Sequence, residues 1–240
     1  MDRKTILITG ASRGIGAGLV NTFLDRGYNV VANSRKVSTS RELQSSDRLV
    51  RVDGDIGDAR TAKAVAETAV EKFGAINALV NNAGIFLTKP FLEYTIEDLR
   101  KLSLTNLEGF FHLTQMAITQ MLSQRSGGSI VSITTSLADH PIAGVTASVA
   151  MITKGGLNAV SKNLAMEYAK DRIRVNAVAP GIVDTPMHYD DPKDFLKSLS
   201  PMGSISAVEE IVDAVVFLTE APHITGEVLH VDGGAHLGKW

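Results

Sequence analysis

The stretch Thr9-Gly10-Ala11-Ser12-Arg13-Gly14-Ile15-Gly16 stands between a β-branched, apolar run at residues 5–9 and a segment at 14–26 whose apolar residues recur every three or four positions. Glycines at such a junction permit a tight turn, let backbone N–H groups approach a pyrophosphate, and let the following helix pack closely on its sheet. A glycine-rich turn by itself is a weak signal. Its weight comes from its place, at the first strand-to-helix junction of a chain that keeps alternating.

That alternation continues throughout. Short apolar runs at 5–9, 29–33, 49–53, 78–81, 129–134, 174–178 and 228–231 predict seven strands. Helical periodicity fills most of the gaps, at 14–26, 58–73, 96–123, 146–169 and 207–218. Thr95 followed by Glu97 and Asp98 predicts a helix start, with the hydroxyl as cap and the acids near the positive dipole end. Strands such as Ile6-Leu7-Ile8 and Asn29-Val30-Val31-Ala32 are almost continuously apolar, as burial on both faces requires. The expectation is an α/β chain with right-handed crossovers, a doubly wound parallel sheet of about seven strands between two helical layers. With 240 residues, 44% hydrophobic and 21% charged, residues 1–240 suffice for a single domain with a full core. Residues 181–204, with Pro186, Pro192 and Pro201, have no clear period and are expected to form a functional or mobile loop.

Charge and composition remove several classes of function. Lys and Arg number 24 against 26 Asp and Glu, with no long basic block, so no electrostatic footprint for nucleic acid is present. The cysteine count is zero, which excludes disulfide and thiolate chemistry and agrees with a cytoplasmic setting. The first apolar run meets Gly10 too soon for a secretory core, and no apolar stretch approaches the roughly 18 residues of a membrane helix. No metal site is expected. Small molecules and copies of the chain itself remain as partners.

The spacing Gly10-x-x-x-Gly14-x-Gly16 resembles the short-chain dehydrogenase/reductase family, and further motifs match in family order over essentially the whole chain. Asp55-Ile56 is similar to the pair that holds the adenine, and Asn81-Asn82-Ala83-Gly84 to the family's N-N-A-G. Asn106 stands where the family has a helix asparagine. Pro180-Gly181 with Thr185 resembles the nicotinamide-contacting loop, and Thr225-Gly226 through Val231-Asp232-Gly233-Gly234 the carboxy-terminal signature. The resemblance implies a three-layer Rossmann fold, with a nicotinamide dinucleotide bound by Gly10, Ser12, Arg13, Gly14, Ile15, Gly16, Asp55, Ile56, Asn82, Ala83, Gly84, Lys154, Pro180, Gly181 and Thr185. It also implies a small carbonyl or alcohol substrate, a lid at 181–204, and a homodimer or homotetramer packed through the long helices.

Charge bears on which dinucleotide is bound. A carboxylate ending the second strand would take both ribose hydroxyls and repel a 2′-phosphate, but that end reads Asn33-Ser34-Arg35-Lys36. Ser34, Arg35 and, from the glycine turn, Arg13 suit a phosphate, so NADP(H) is expected over NAD(H).

The family's chemistry passes a proton through a tyrosine phenol written Y-x-x-x-K, with a serine on the substrate oxygen and an asparagine supporting a water relay. Lys154, followed by Gly155-Gly156, falls where the family lysine belongs, but four residues back stands Ala150. No tyrosine lies between Tyr94 and Tyr168. The serine is expected at Ser136, with Thr135 as substitute. His140 is the first substitute for the phenol; His188 and Tyr189 are others, with Ser148 and Thr146 weaker, and Ala150 is expected to leave a ring-sized gap that one of them enters. Asn106, Ser136, Lys154 and His140 thus form the candidate catalytic set of an oxidoreductase with an altered proton donor. The competing reading is a nucleotide-binding module that lost its chemistry, and a third is a non-redox reaction in which the nicotinamide is only structural.

Overall fold

A computed structural model of the chain describes residues 3–238. Seven strands run β1 Thr5–Thr9, β2 Asn29–Ser34, β3 Leu49–Asp53, β4 Ala78–Asn81, β5 Gly128–Ile133, β6 Ile173–Pro180 and β7 Val228–Val231. They form one sheet in the order β3-β2-β1-β4-β5-β6-β7, every neighbouring pair parallel. This is the doubly wound α/β sheet the periodicity predicts. The helices are α1 Gly14–Asp25, α2 Ala59–Phe73, α3 Ile96–Ser103, α4 Gly109–Gln124, α5 Ser148–Glu167, α6 Lys193–Ser198 and α7 Val208–Glu220.

Successive β1 side chains divide the core. Ile6 and Ile8 pack with α1 and α7 residues such as Phe23 and Val215, while Leu7 packs with α2 and α4 residues such as Val65 and Leu113. The strand order reverses between β1 and β4, and there the crevice at the carboxyl ends of the strands opens. The Thr9 hydroxyl ties the two ends together by accepting from the Asn82 and Ala83 N–H groups at 3.1 and 2.9 Å.

Two local features matter for the site. The segment expected as one helix at 96–123 divides into α3 and α4 around a π-helical turn, Leu104–Glu108. The wider turn points Asn106 into the protein, a local change that a 3.6-residue repeat cannot register. Between β2 and β3 there is only a short 3₁₀ turn, Val37–Thr39, and the buried Val37 and Leu43 replace a helix in covering α1. The loop at 181–204 likewise contains a 3₁₀ turn, Pro186–His188, and α6. The start of α3 is as expected, with the Thr95 hydroxyl accepting from Asp98 N–H while Asp98 accepts from Thr95 N–H.

Of the apolar residues on the long helices, Met121 and Leu157 are core, whereas Met166 is 81% exposed. Among the described residues no helix is long and apolar enough to cross a membrane.

Candidate active site

The glycine turn is built to a tolerance of less than one methyl group. Gly10 has φ 64°, and a Cβ on it would stand 2.8 Å from Ala83 Cα; a Cβ on Gly16 would stand 2.1 Å from Gly10 O. Asn82 braces the turn, donating from Nδ2 to Thr9 O and Gly10 O at 2.9 and 3.2 Å. The helix entry at Arg13 has no cap from its own side chain, which leaves the first amides of α1 to an acceptor from elsewhere. Gly14, at φ 56°, brings the turn beside Thr185, whose Cγ2 lies 3.4 Å from where a Gly14 Cβ would be. Gly10, Ser12, Arg13, Gly14, Ile15, Gly16, Asn82, Ala83, Pro180, Gly181 and Thr185 are thereby gathered at one end of the sheet, and the cradle fits a pyrophosphate.

Around it, Arg13 and Arg35 are exposed, and the buried Ser34 hydroxyl has no partner among the described residues. Asp55 Oδ1 accepts from Gly57 N–H at 3.0 Å, shaping the bend that carries the buried Ile56. Two acids here escaped the sequence reading. Asp53, in register with Ser34 on the next strand, accepts from Ser38 N–H at 2.8 Å, and the Ser38 hydroxyl holds its carboxyl below the usual range. Glu42 reaches the turn itself, its Oε2 accepting from Gly14 N–H at 3.1 Å. Neither ends β2, so reading that position alone could not find them.

A cavity of about 560 Å³ continues from the turn, lined among others by Ile15, Gly84, Ser136, Lys154, Gly181 and His188. Lys154, on α5, is buried, and its Nζ donates to Ile133 O at 2.7 Å. Burial disfavours the ammonium and pushes its pKa down to about 8. Gly84 makes room for it, since a Cβ there would stand 2.9 Å from Nζ. Thr135 and Ser136 both line the cavity, the Thr135 hydroxyl capping its turn by accepting from Leu137 N–H at 3.4 Å.

Asn106 is fully engaged. Its Oδ1 accepts from Ile85 N–H at 2.9 Å, and its Nδ2 donates to Ile85 O and Thr153 Oγ1, both at 3.0 Å. Thr153 in turn donates to Ala150 O at 3.0 Å. One buried amide therefore joins the segment after β4 to the helical turn that ends in Lys154.

The gap expected at Ala150 is closed. Ala150 is 0% exposed and belongs to an apolar cluster with Leu102, Ala147 and Val149, against which Phe86, Tyr94 and Val145 pack. An open hole lined by apolar side chains forfeits their contacts, so the neighbours close over a small residue. None of the expected substitutes enters it. His140 is exposed and outside the cavity lining, and Tyr189 is 68% exposed and also outside it. His188 does line the cavity, its side chain 19% exposed and its Nδ1 2.7 Å from Asp191 Oδ2. Nδ1 faces the carboxylate, so Nε2 is the ring nitrogen left for the cavity. Among the described residues, no group of three or more His, Asp or Glu side chains is placed to hold a metal ion.

The family model described as enoyl-(acyl carrier protein) reductase matches residues 10–236. An L-rhamnose 1-dehydrogenase (NAD(P)(+)) from Sphingomonas sp. (strain SKA58) is 31% identical over 250 residues, covering 99% of this chain and 98% of the relative. Among solved structures, a 3-ketoacyl-(acyl-carrier-protein) reductase from Brucella melitensis complexed with NADH superposes with a TM-score of 0.91 at 29% identity, over 98% of this chain and 99% of that one. ElxO with NADP bound gives 0.88 at 29% identity, over 97% and 98%. The two neighbours hold different dinucleotides on closely similar folds.

Proposed function

The chain belongs to the short-chain dehydrogenase/reductase family, and from that premise we propose that it is an NADP(H)-dependent oxidoreductase interconverting a carbonyl and a secondary alcohol, with His188 giving the proton that a phenol gives elsewhere. The observation that carries the reading is the single cavity in which Ser136, Lys154 and His188 meet beside the glycine cradle. The bound dinucleotide supplies or accepts the hydride. The chain does the rest. First-turn amides of α1 take the pyrophosphate, while Arg13 and Arg35 supply guanidinium groups for a 2′-phosphate, since Asp53 is turned onto Ser38. Lys154 holds its ammonium proton beside Gly84. A hydroxyl of Ser136 or Thr135 donates to the substrate oxygen, and in reduction that oxygen receives a proton from Nε2 of the His188 imidazolium, which is left as the neutral ring with its remaining proton on Nδ1 facing Asp191. Asn106 acts as a positioning residue.

Exposed Phe111 and Leu122 on α4 and Ile152 and Met166 on α5 support a homodimer or homotetramer. The cysteine-free composition supports a cytoplasmic location.

The experiment is NADPH oxidation with a panel of aldehydes, ketones and quinones, alongside NADPH binding by fluorescence, for the parent, Lys154→Ala and His188→Asn. Parent turnover above Lys154→Ala is expected, with His188→Asn losing roughly 10²- to 10⁴-fold in kcat while binding NADPH as the parent does. Free imidazole is expected to restore turnover to His188→Gly, which a structural role would not produce. Binding without turnover above the Lys154→Ala level would instead favour a nucleotide-binding module, the reading that the sealed Ala150 position supports. An unaffected His188→Asn would move the donor to Lys154 or to a hydroxyl of the lining such as Thr146.

A further inference from the structure

The segment joining β2 to β3 is clamped along α1. Asn21 Nδ2 donates to Glu42 O at 2.8 Å, and its Oδ1 accepts from Gln44 N–H at 3.0 Å. Gln44 Nε2 donates to Asn21 O and Asp25 Oδ1 at 3.1 and 3.0 Å. Nearer the turn, the Ser40 hydroxyl donates to Ser12 O at 2.6 Å, while Arg51 holds the carbonyls of Ser38, Ser40 and Leu43 from the strand side. With Leu43 buried as an anchor, these bonds deliver the Glu42 carboxylate to Gly14 N–H, the first amide of α1.

A carboxylate is stabilised at that position by the free amide and by the positive end of the helix. The same amides form the pocket that the glycines shape for a phosphate, and two anions cannot share it. Glu42 is nevertheless lightly held. Among the described residues its carboxylate makes one 3.1 Å bond, and the residue is exposed, so water readily solvates the carboxylate once it leaves.

We propose that Glu42 is an internal anion occupying the phosphate turn, which the phosphates of an incoming nucleotide displace, so that the clamped loop sets the affinity of the site. This rests on reading the turn as a nucleotide site. It assigns Asn21 and Ser40 a function as well, because they hold Glu42 in place while lying outside the turn's own glycines.

Isothermal titration of inorganic pyrophosphate, NADPH and NADH into the parent, Glu42→Gln, Glu42→Ala and Asn21→Ala tests it. Glu42→Gln keeps an oxygen to accept from Gly14 N–H and removes only the charge. It is expected to bind all three probes roughly tenfold more tightly, as loss of a charge-assisted contact and of anion repulsion predicts. Glu42→Ala should match it, and Asn21→Ala should shift affinity the same way by less. Unchanged affinities in Glu42→Gln would overturn the proposal. Weaker NADH and NADPH binding would overturn it too, by showing that Glu42 contacts the ribose hydroxyls. If no protein, parent included, binds any probe, the nucleotide reading falls and takes this proposal with it.

Discussion

At the β1–α1 turn an added methyl group has nowhere to go, whereas on α5, where the sequence reading looks for a phenol four residues before Lys154, the chain has only the methyl group of Ala150. Both positions are ones the resemblance singles out, yet their surroundings answer to different demands. A Cβ on Gly16 would fall 2.1 Å from a carbonyl oxygen, and backbone cannot yield there without moving α1. Around Ala150 the neighbours are side chains, Leu102 of α3 and, from two connecting segments, Phe86 and Val145 among them, and they leave none of the small residue exposed. The nucleotide side is fixed by backbone. The chemical side is fixed by side chains, which sequence change can rearrange while the sheet stays in place.

The most severe way to break this contrast is Gly16→Ala. We expect a destabilisation of about 2–3 kcal/mol from overpacking and loss of measurable NADPH binding, read by urea unfolding and fluorescence titration. Parental affinity in the Gly16→Ala variant would mean that the turn does not work as a phosphate cradle.

Comparable in size is the pH dependence conferred by Lys154. Its pKa lies at about 8 in the fold against an ordinary 10.5. Between those values the unfolded chain binds a proton that the folded one does not, so stability rises with pH across this window. The contribution is complete above 10.5 and lost as pH falls through about 8. The difference amounts to about 3 kcal/mol. Urea unfolding of the nucleotide-free protein at several pH values from about 7.5 to about 10.5, spanning the folded and unfolded values, should show that rise in the parent and a flatter profile in Lys154→Met. Parallel profiles would place the ammonium in a wetter site than its burial indicates.

Ala150→Tyr writes the Y-x-x-x-K that the resemblance leads one to expect, and is expected not to raise turnover. A ring forced into the closed cluster should cost about 1–3 kcal/mol, seen as a lower Tm, with turnover on the carbonyl panel no higher than the parent's. A gain of turnover without loss of Tm would show that the cluster still opens to admit a phenol, and the contrast between the two regions would narrow.

How far the sequence reaches follows the same division. Parallel strands buried on both faces must be apolar for their full length, so β1 and β4 were legible almost to the residue, and the glycine turn announced itself because only a residue without a Cβ fits with neighbours at such distances. Asn106 was legible as a residue and not as a conformation, since a single π turn shifts phase without changing composition. The sealed Ala150 site was invisible, because a missing ring reads as empty space until one sees which neighbours move in. His140 stood out by its nearness to Ser136 in sequence, but the turn after Ser136 carries it outward, while His188, many residues later, lines the cavity. Glu42 offered no signal, since its position depends on a loop that replaces a helix and on bonds from α1.

The smallest effect tests whether the two regions are mechanically joined. Thr153 accepts from Asn106 and donates to Ala150 O, making it the side chain that links the segment after β4 to the turn of α5 that precedes Lys154. Thr153→Val keeps the shape and removes the hydroxyl, leaving one Asn106 N–H without its partner at a cost of about 1 kcal/mol. If the link only stabilises, Tm should fall slightly while NADPH affinity and the pH profile of unfolding keep their parental form. If it positions Lys154, the rise in stability toward high pH should shift along the pH axis as the ammonium finds a different degree of burial. The asparagine bonds both backbone groups of Ile85, so the β4 side stays anchored in the variant and any shift is attributable to α5. We expect the shift, because Lys154 is the next residue in the chain and, among the described residues, its Nζ has a single hydrogen-bond partner to hold it, Ile133 O.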